Sequence, residues 1–403
     1  MSPKPFQPVC LDARPKAPRG RPPKSTKRQP IRYTKTVPKA QVSQFTRDRL
    51  YNQALSHPAY EGMPPDDVRR YIDSKIDSYI ASYPWCFGHL KKDRLFEIIE
   101  RLKLPTVFFA EGGGGRPGDT DHPTVSSLEV RAFALWASLS GVVPRIAVVK
   151  GRCFAGNAVI AGCSDLIVAT EDTSLGMGGP AMIAGGGLGE VAPDEVGPIS
   201  MQAPNGVVDV VVPDEAAAVT VTKQLLGYFD NPGTPGAAGD QNALRTMVPE
   251  RARRAYPIGP IITTLADANS VTFLRERFAP EMVTALARID GRPVGVIANN
   301  TMVMAGAITA AAADKAARFL QLCDTFGIAI VSLIDCPGYM VGPAAESQAL
   351  VRRASRMLVA GAALRVPLVA VVLRRGYGLG AQAMAMGRML SRAAWTSSTD
   401  SIT

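Results

Sequence analysis

VPLVAVVLRRGYGLGAQAM, residues 366–384, decides the fold. Val366 to Leu373 is an apolar run of the length of a buried strand. Gly376-Tyr377-Gly378-Leu379-Gly380-Ala381 then makes a glycine-studded turn, and helix-forming residues come after it. A strand that turns straight into a helix commonly presents a reactive side chain at the helix start. This turn offers no Ser, Cys, His, Lys or acid. What it does offer is main chain. The first N–H groups of a helix have no partner inside it, and the helix dipole adds partial positive charge there. Such a turn suits a phosphate, or an oxygen that becomes negative during reaction.

The same order occurs earlier in the chain. LPTVFFAE (104–111) reads as a buried strand ending at Glu111, which opens Gly112-Gly113-Gly114-Gly115. Ser126-Ser127-Leu128-Glu129 predicts a capping box for a helix reaching Ser140, with Gly141 as its stop. VPRIAVVKG (143–151) is a second strand, leading into Arg152-Cys153-Phe154-Ala155-Gly156-Asn157. In the later copy, a helix around 311–326 ends at Gly327. IAIVSLID (328–335) ends at Asp335, Cys336-Pro337-Gly338-Tyr339 is the turn, and a helix around 344–363 precedes the quoted strand. Glu111 to Pro144 is 33 residues and Asp335 to Pro367 is 32, so the halves repeat at offsets of 224 and 223. A duplicated α/β unit is expected.

The chain has 403 residues, of which 46% are hydrophobic. No apolar run approaches the ~18 residues of a membrane span. No signal peptide opens it. Six cysteines without CxxC or regular spacing suggest reduced thiols and a cytoplasmic protein. The net charge of +10 looks like a nucleic-acid signal, but residues 1–40 hold eleven Lys or Arg against the single acid Asp12. The whole excess lies on that tail. It also holds nine prolines and little to bury, so disorder is expected for 1–45. Within it Arg19-Gly20-Arg21-Pro22-Pro23-Lys24 resembles a minor-groove hook, beside the plainer reading of a solvated basic tail. No nucleic-acid partner is expected outside residues 1–40, and no membrane. Residues 46–87 read as short amphipathic helices, with Asp66 as a candidate cap, and Asp93 is a candidate cap for the next helix.

Three uses of the turns compete. Gly113 to Gly118 has GxxxxG spacing, but Asp119-Thr120 stands where a phosphate loop needs Lys-Ser/Thr, which excludes that loop. Gly376-x-Gly378-x-x-Ala381 fits a relaxed dinucleotide fingerprint, yet no following strand with a ribose-binding acid is evident. A pair of oxyanion holes, one per half, explains why two turns share a layout and neither holds a nucleophile. It also fits the chain's three histidines, the absence of GxSxG, and the absence of HExxH or a Cys/His cluster. Asp335, Glu346 and Glu111 read as structural acids. Arg152, Arg374 and Arg375 flank the turns, where they meet either phosphates or merely solvent.

Six stretches carry a family resemblance: KKDRLFEIIERLKLPTVFFAEGGGGRPGDTD (91–121), GRCFAGNAVIAGCSDLIVATEDTSLGMGGPAMI (151–183), GVVDVVVPDEAAA (206–218), GRPVGVIANN (291–300), DCPGYMVGPAAE (335–346) and GYGLGAQAM (376–384). Over roughly residues 88–388 the sequence resembles the carboxyltransferase (β-type) subunits of acyl-CoA carboxylases, the group of propionyl-CoA and acetyl-CoA carboxylases. The resemblance implies tandem crotonase-like (ββα superhelix) domains of α/β class, at 88–250 and 251–403. It implies carboxyl transfer from carboxybiotin, borne on a separate biotin carrier and biotin carboxylase component, to the α-carbon of an acyl-CoA. Phe154, Ala155 and Gly156 match the family's donors to the thioester enolate. Gly378, Leu379 and Gly380 match its donors to the biotin urea oxygen. Gly113, Gly114 and Gly338, with Tyr339 and Tyr377, match loops lining the cleft. A homo-oligomer is implied, with biotin and coenzyme A as the bound groups and no metal.

Residues 1–87 do not match the family's first strands, and after Gly387 its helical segment has no match. Both domains are therefore expected to be incomplete, with an unpaired sheet edge and impaired activity. The rival functions are another crotonase-type acyl-CoA enzyme, a decarboxylase or hydratase with an acid or base at the first turn, and a non-catalytic fragment with a DNA-binding tail.

Overall fold

The computed structural model describes residues 62–71, 73, 87–112, 131–230, 232–251 and 253–386. The tail, the hook, Gly113, Gly114 and the 126–129 capping box lie outside them. Two compact units divide the chain, Met1–Pro84 and Trp85–Thr403. In the first, residues 65–71 are helical, so Asp66 lies inside the first turn rather than capping it. Pro65 starts that helix because its missing N–H is one the helix would leave unpaired anyway.

The second unit holds two main sheets. Strands β1 (Thr106–Phe109), β2 (Arg145–Val149), β4 (Leu166–Thr170) and β6 (Val210–Val212) form an all-parallel sheet in the order β1-β2-β4-β6. β3 (Arg152–Phe154) and β5 (Ser174–Gly176) make a small parallel ladder beside it. β7 (Thr272–Leu274), β8 (Met282–Ile289), β9 (Arg292–Asn299), β10 (Ala329–Cys336) and β11 (Leu368–Gly376) form the second sheet, in the order β11-β10-β9-β8-β7. β9, β10 and β11 run parallel, while β7 and β8 join antiparallel. This is the α/β class expected.

Six helices bear on the turns: α1 (Phe87–Leu102), α2 (Ala132–Ser138), α3 (Gly156–Gly162), α4 (Ala310–Thr325), α5 (Leu350–Ala362) and α6 (Gly378–Met384). α1 begins six residues before Asp93, which is therefore interior to it and not its cap. The segment expected as one helix at 344–363 is two, Pro343–Glu346 and α5, separated where Ala349 turns left-handed (φ 57°). That break lets Leu350 and Ala354 reach Ala310 in a small buried cluster. Thr309 caps α4, its hydroxyl accepting from Ala312 N at 3.0 Å.

One hydrophobic core runs between the sheets. Ile146, Val148, Leu166 and Val168 from the first share it with Ile297, Ile330 and Ile334 from the second, and the alanine face of α4 (Ala312, Ala313, Ala316, Ala317) packs among them. Small residues let a helix approach closely, and each fully buried Val, Leu or Ile side chain contributes about 1.5–3 kcal/mol. Lys315 on the same helix is buried with its Nζ donating to the carbonyls of Arg275 and Phe278 at 2.9 and 2.8 Å. A buried ion pair anchors the start of β2: Arg145 Nη2 lies 2.9 Å from Asp165 Oδ1. Among the described residues β1 and β11 are outer strands of their sheets, and Phe109, Val369 and Val372 on them are exposed.

Candidate functional site

Both halves build their turn with the same backbone device. In the first, Phe109 pairs with Val148 and Gly112 next bridges to Cys153, so two residues of one strand face four of the other. In the second, Ile334 pairs with Val372 and Cys336 next pairs with Gly376, so Asp335 alone faces residues 373–375. Each half thus inserts two extra residues into its second strand. Such a bulge bends the strand and re-aims the chain beyond it. That chain enters α3 in one half and α6 in the other.

At the first turn Gly112 N donates to Arg152 O at 2.8 Å and Phe154 N returns to Gly112 O at 2.9 Å. Ala155 N reaches Gly176 O at 3.3 Å. The amides of Phe154 and Ala155 are therefore taken by the β3–β5 ladder and its extension. Gly156, Asn157 and Ala158 open α3, and their amides have no acceptor among the described residues. Ala155 sits at φ 53°, ψ −124°, a conformation rarely adopted outside glycine and tolerated where surrounding structure enforces it. A Cβ on Gly156 would lie 2.7 Å from the tip of the Phe133 ring, which walls the turn. The Asn157 side chain donates to Glu111 O at 2.7 Å, tying helix start to strand end. Cys153, buried beneath, has its thiol pushed up to about 12 by burial.

At the second turn Tyr377 N donates to Cys336 O at 3.0 Å. Gly378 (φ 57°), Leu379 and Gly380 open α6, and none of their amides has an acceptor among the described residues. Gly378 and Leu379 are exposed, and Tyr377 is 59% exposed. Gly380 is buried against the facing loop, where a Cβ would fall 2.7–2.8 Å from the Gly338 backbone. Gly338 (φ 127°) and its neighbours are pinned in turn, since Ile308 N donates to Gly338 O at 3.0 Å and Met340 N to Ile308 O at 2.9 Å. Tyr339 packs with Ala310 and Leu350, and burial pushes its hydroxyl up to about 12. The structure thus brings Gly338, Tyr339, Tyr377, Gly378, Leu379 and Gly380 together, and separately Phe154, Ala155 and Gly156. Each turn is walled by residues of its own half.

The flanking arginines settle where two of the sequence's open charges go. Arg374 and Arg375 are largely withdrawn from solvent, their side chains 10% and 16% exposed. Both turn inward to Asp335, which is fully buried, with Arg374 Nε at 3.0 Å and Arg375 Nε at 2.6 Å. Tyr256 adds its hydroxyl at 2.9 Å. Asp335 is structural as expected, but it holds side chains rather than capping the next segment. Glu111 and Arg152 are exposed. Sequence reasoning missed Tyr256 and Phe133, which lie outside the glycine motifs, and gave Asn157, the last residue of the first turn, no role. Among the described residues no His/Cys/Asp/Glu cluster could hold a metal, and no helix is long and apolar enough to cross a membrane.

Comparison with known proteins gives consistent matches. The family model described as a carboxyl transferase domain matches residues 88–400. The methylmalonyl-CoA carboxyltransferase 12S subunit of Propionibacterium freudenreichii subsp. shermanii is 32% identical over 305 residues, covering 72% of this chain and 57% of that protein. The chain thus spans little more than half the length of this and several other curated relatives. Among solved structures, a single-chain, multi-domain long-chain acyl-CoA carboxylase superposes with a TM-score of 0.72 at 52% identity, over 74% of this chain and 30% of that one. The transcarboxylase 12S hexamer, with methylmalonyl-CoA bound, gives 0.68 at 29% identity, over 75% of this chain and 61% of that one.

Proposed function

This chain belongs to the carboxyl transferase domain family, and from that premise we propose that it moves a carboxyl group from carboxybiotin to the α-carbon of an acyl-CoA. The biotin is borne on a separate carrier and biotin carboxylase component. The observation that carries the reading is the pair of turns whose leading helix amides lack acceptors among the described residues. Bound carboxybiotin supplies an activated carboxyl group. Gly156 and Asn157 hold the thioester oxygen as charge grows on it, while Phe154 and Ala155 set the bend that aims those donors. Gly378, Leu379 and Gly380 hold the urea oxygen, with Tyr377 and the Gly338–Tyr339 loop as walls.

Preorganised donors of this kind act where charge develops, and one donor contributes about 2.7–4 kcal/mol to the transition state. At the second turn Gly378 has open space around it, with no atom within 4 Å of where a Cβ would stand. The exposed apolar residues Tyr377 and Leu379 at one turn, and Met177 and Met182 after the other, fit burial against a second copy of the chain. Incubating the protein with a carboxybiotin donor and a panel of short, branched and long acyl-CoAs should give malonyl-type products from at least one of them. A complete absence of product across the panel, with the donor shown to be competent, would remove the reading.

A further inference from the structure

Beneath the second turn lies a cluster that the transfer chemistry leaves without a role. Asp335 is 0% exposed. Its Oδ2 accepts from Tyr256 Oη at 2.9 Å and Arg374 Nε at 3.0 Å, and its Oδ1 from Arg375 Nε at 2.6 Å. Arg374 goes on to the carbonyls of Arg251 and Arg254 at 2.9 and 2.8 Å, and its guanidinium lies 5.0 Å from the Tyr256 ring centroid. Arg375 goes on to Ala305 O at 2.8 Å. Tyr256 is fixed through its own backbone, which exchanges two 2.9 Å bonds with the Thr301 hydroxyl.

Successive residues of a regular strand point to opposite faces. Arg374 and Arg375 are successive, yet both reach one carboxylate. The two-residue excess opposite Asp335 is what makes that possible. The converse also holds: two guanidiniums on one carboxylate keep the bulge from sliding back into register. A bulge that slipped would carry Gly376 away from Cys336 and lift Gly380 off Gly338. Two arginines on one aspartate also leave one net positive charge at the foot of a turn read as holding a negative oxygen.

We propose that Asp335 is a positioning residue, which gathers Arg374, Arg375 and Tyr256 inside the bulge and so fixes the pitch at which Gly378, Leu379 and Gly380 present their amides. Its catalytic consequence rests on the reading that this turn receives biotin. The test uses the full chain and two variants, Asp335→Asn and Tyr256→Phe. Hydrogen–deuterium exchange is monitored in peptides covering 371–384 and 145–160. Asp335→Asn should speed exchange at 371–384 by at least tenfold and leave 145–160 unchanged. Tyr256→Phe should do the same by a few-fold. If Asp335→Asn does not fold, Tyr256→Phe and Arg375→Lys carry the same comparison.

Kinetics separates the two layers. The biotin-side kcat/KM should fall at least tenfold in Asp335→Asn, with the acyl-CoA KM unchanged. Unaltered exchange at 371–384 in the folded variants overturns the proposal, as does equal loosening of both peptides. Selective loosening at 371–384 with unaltered biotin kinetics supports the clamp and instead removes biotin from this turn.

Discussion

The bend after β2 and the bend after β11 use one backbone solution held in two ways. Each inserts two extra residues and delivers a helix start whose amides have no acceptor among the described residues. The first is held by pairing. Gly151 (φ 64°) takes the sharp step, β3 then finds β5, and Glu111 is left at the surface. Among the described residues the second has no strand after it to pair, and a buried carboxylate and two arginines do the holding. A duplicated unit can therefore keep its geometry while the force that maintains it changes from hydrogen-bond ladder to ion cluster. The two differ in what breaks them. A ladder loses little when one side chain goes, whereas removing one member of a buried ion cluster leaves the others uncompensated.

The largest expected effect comes from that contrast. Asp335→Ala leaves two inward-facing guanidiniums without their acceptor and should lower stability by about 3–5 kcal/mol. Glu111→Ala removes an exposed side chain and should leave the urea midpoint unmoved. Parallel denaturation curves for the two variants decide the matter. Equal losses at both sites would erase the distinction between the bends.

The next effect lies in the amides. Gly380→Ala puts a methyl against the Gly338 main chain, at 2.7–2.8 Å, where nothing can swing aside. Gly156→Ala meets only the tip of the Phe133 ring, a side chain able to turn away. Carboxyl transfer should drop about a hundredfold in the first, the scale of one lost oxyanion donor. It should drop by only a few-fold in the second, with Phe133→Leu restoring the difference. A Gly156→Ala loss as deep as that of Gly380→Ala, and not relieved by Phe133→Leu, would mean the ring is as immovable as the backbone.

How much of this was legible in the chain varies by the range of the interaction. β1, β2, β10 and β11 are short apolar runs with turn residues on both sides, and their order and the glycine turns read directly. The resemblance carried the family, now matched over residues 88–400. β3 was not legible. Arg152-Cys153-Phe154 has no strand periodicity of its own and exists because Ser174–Gly176 lies alongside. That single omission made Phe154 and Ala155 look like free donors when their amides have partners. The Asp335 cluster was hidden for the same reason, since Tyr256 comes to it from 79 residues away. Ala349 broke a helix that alanine-rich sequence favours, because Leu350 and Ala354 gain more by packing on Ala310. Local propensity yields to burial in each case.

The smallest expected effect concerns alkaline pH. The Tyr256 hydroxyl is held well above its ordinary range, first by burial and then by the neighbouring Asp335 charge, with Arg374 and Arg375 opposing. A group whose folded pKa exceeds its unfolded value binds its proton more tightly when folded. Its stabilising contribution is whole below about pH 10, where an unfolded tyrosine keeps its proton. It is lost as pH rises from there through the folded value. Stability should therefore decline above about pH 10, and Tyr256→Phe should make that decline shallower. Cys153 under the first bend titrates in the same sense, its thiol raised from 9.0 to about 12. Tyr256→Phe therefore keeps a residual slope, to which the raised hydroxyls of Tyr228 and Tyr339 and the buried thiols of Cys323 and Cys336 also contribute, and Cys153→Ala makes it shallower still. Urea midpoints at pH 8 and pH 11 for the parent and both variants separate the two bends. An unchanged slope in Tyr256→Phe would mean that neither burial nor the Asp335 carboxylate holds the hydroxyl above its ordinary range.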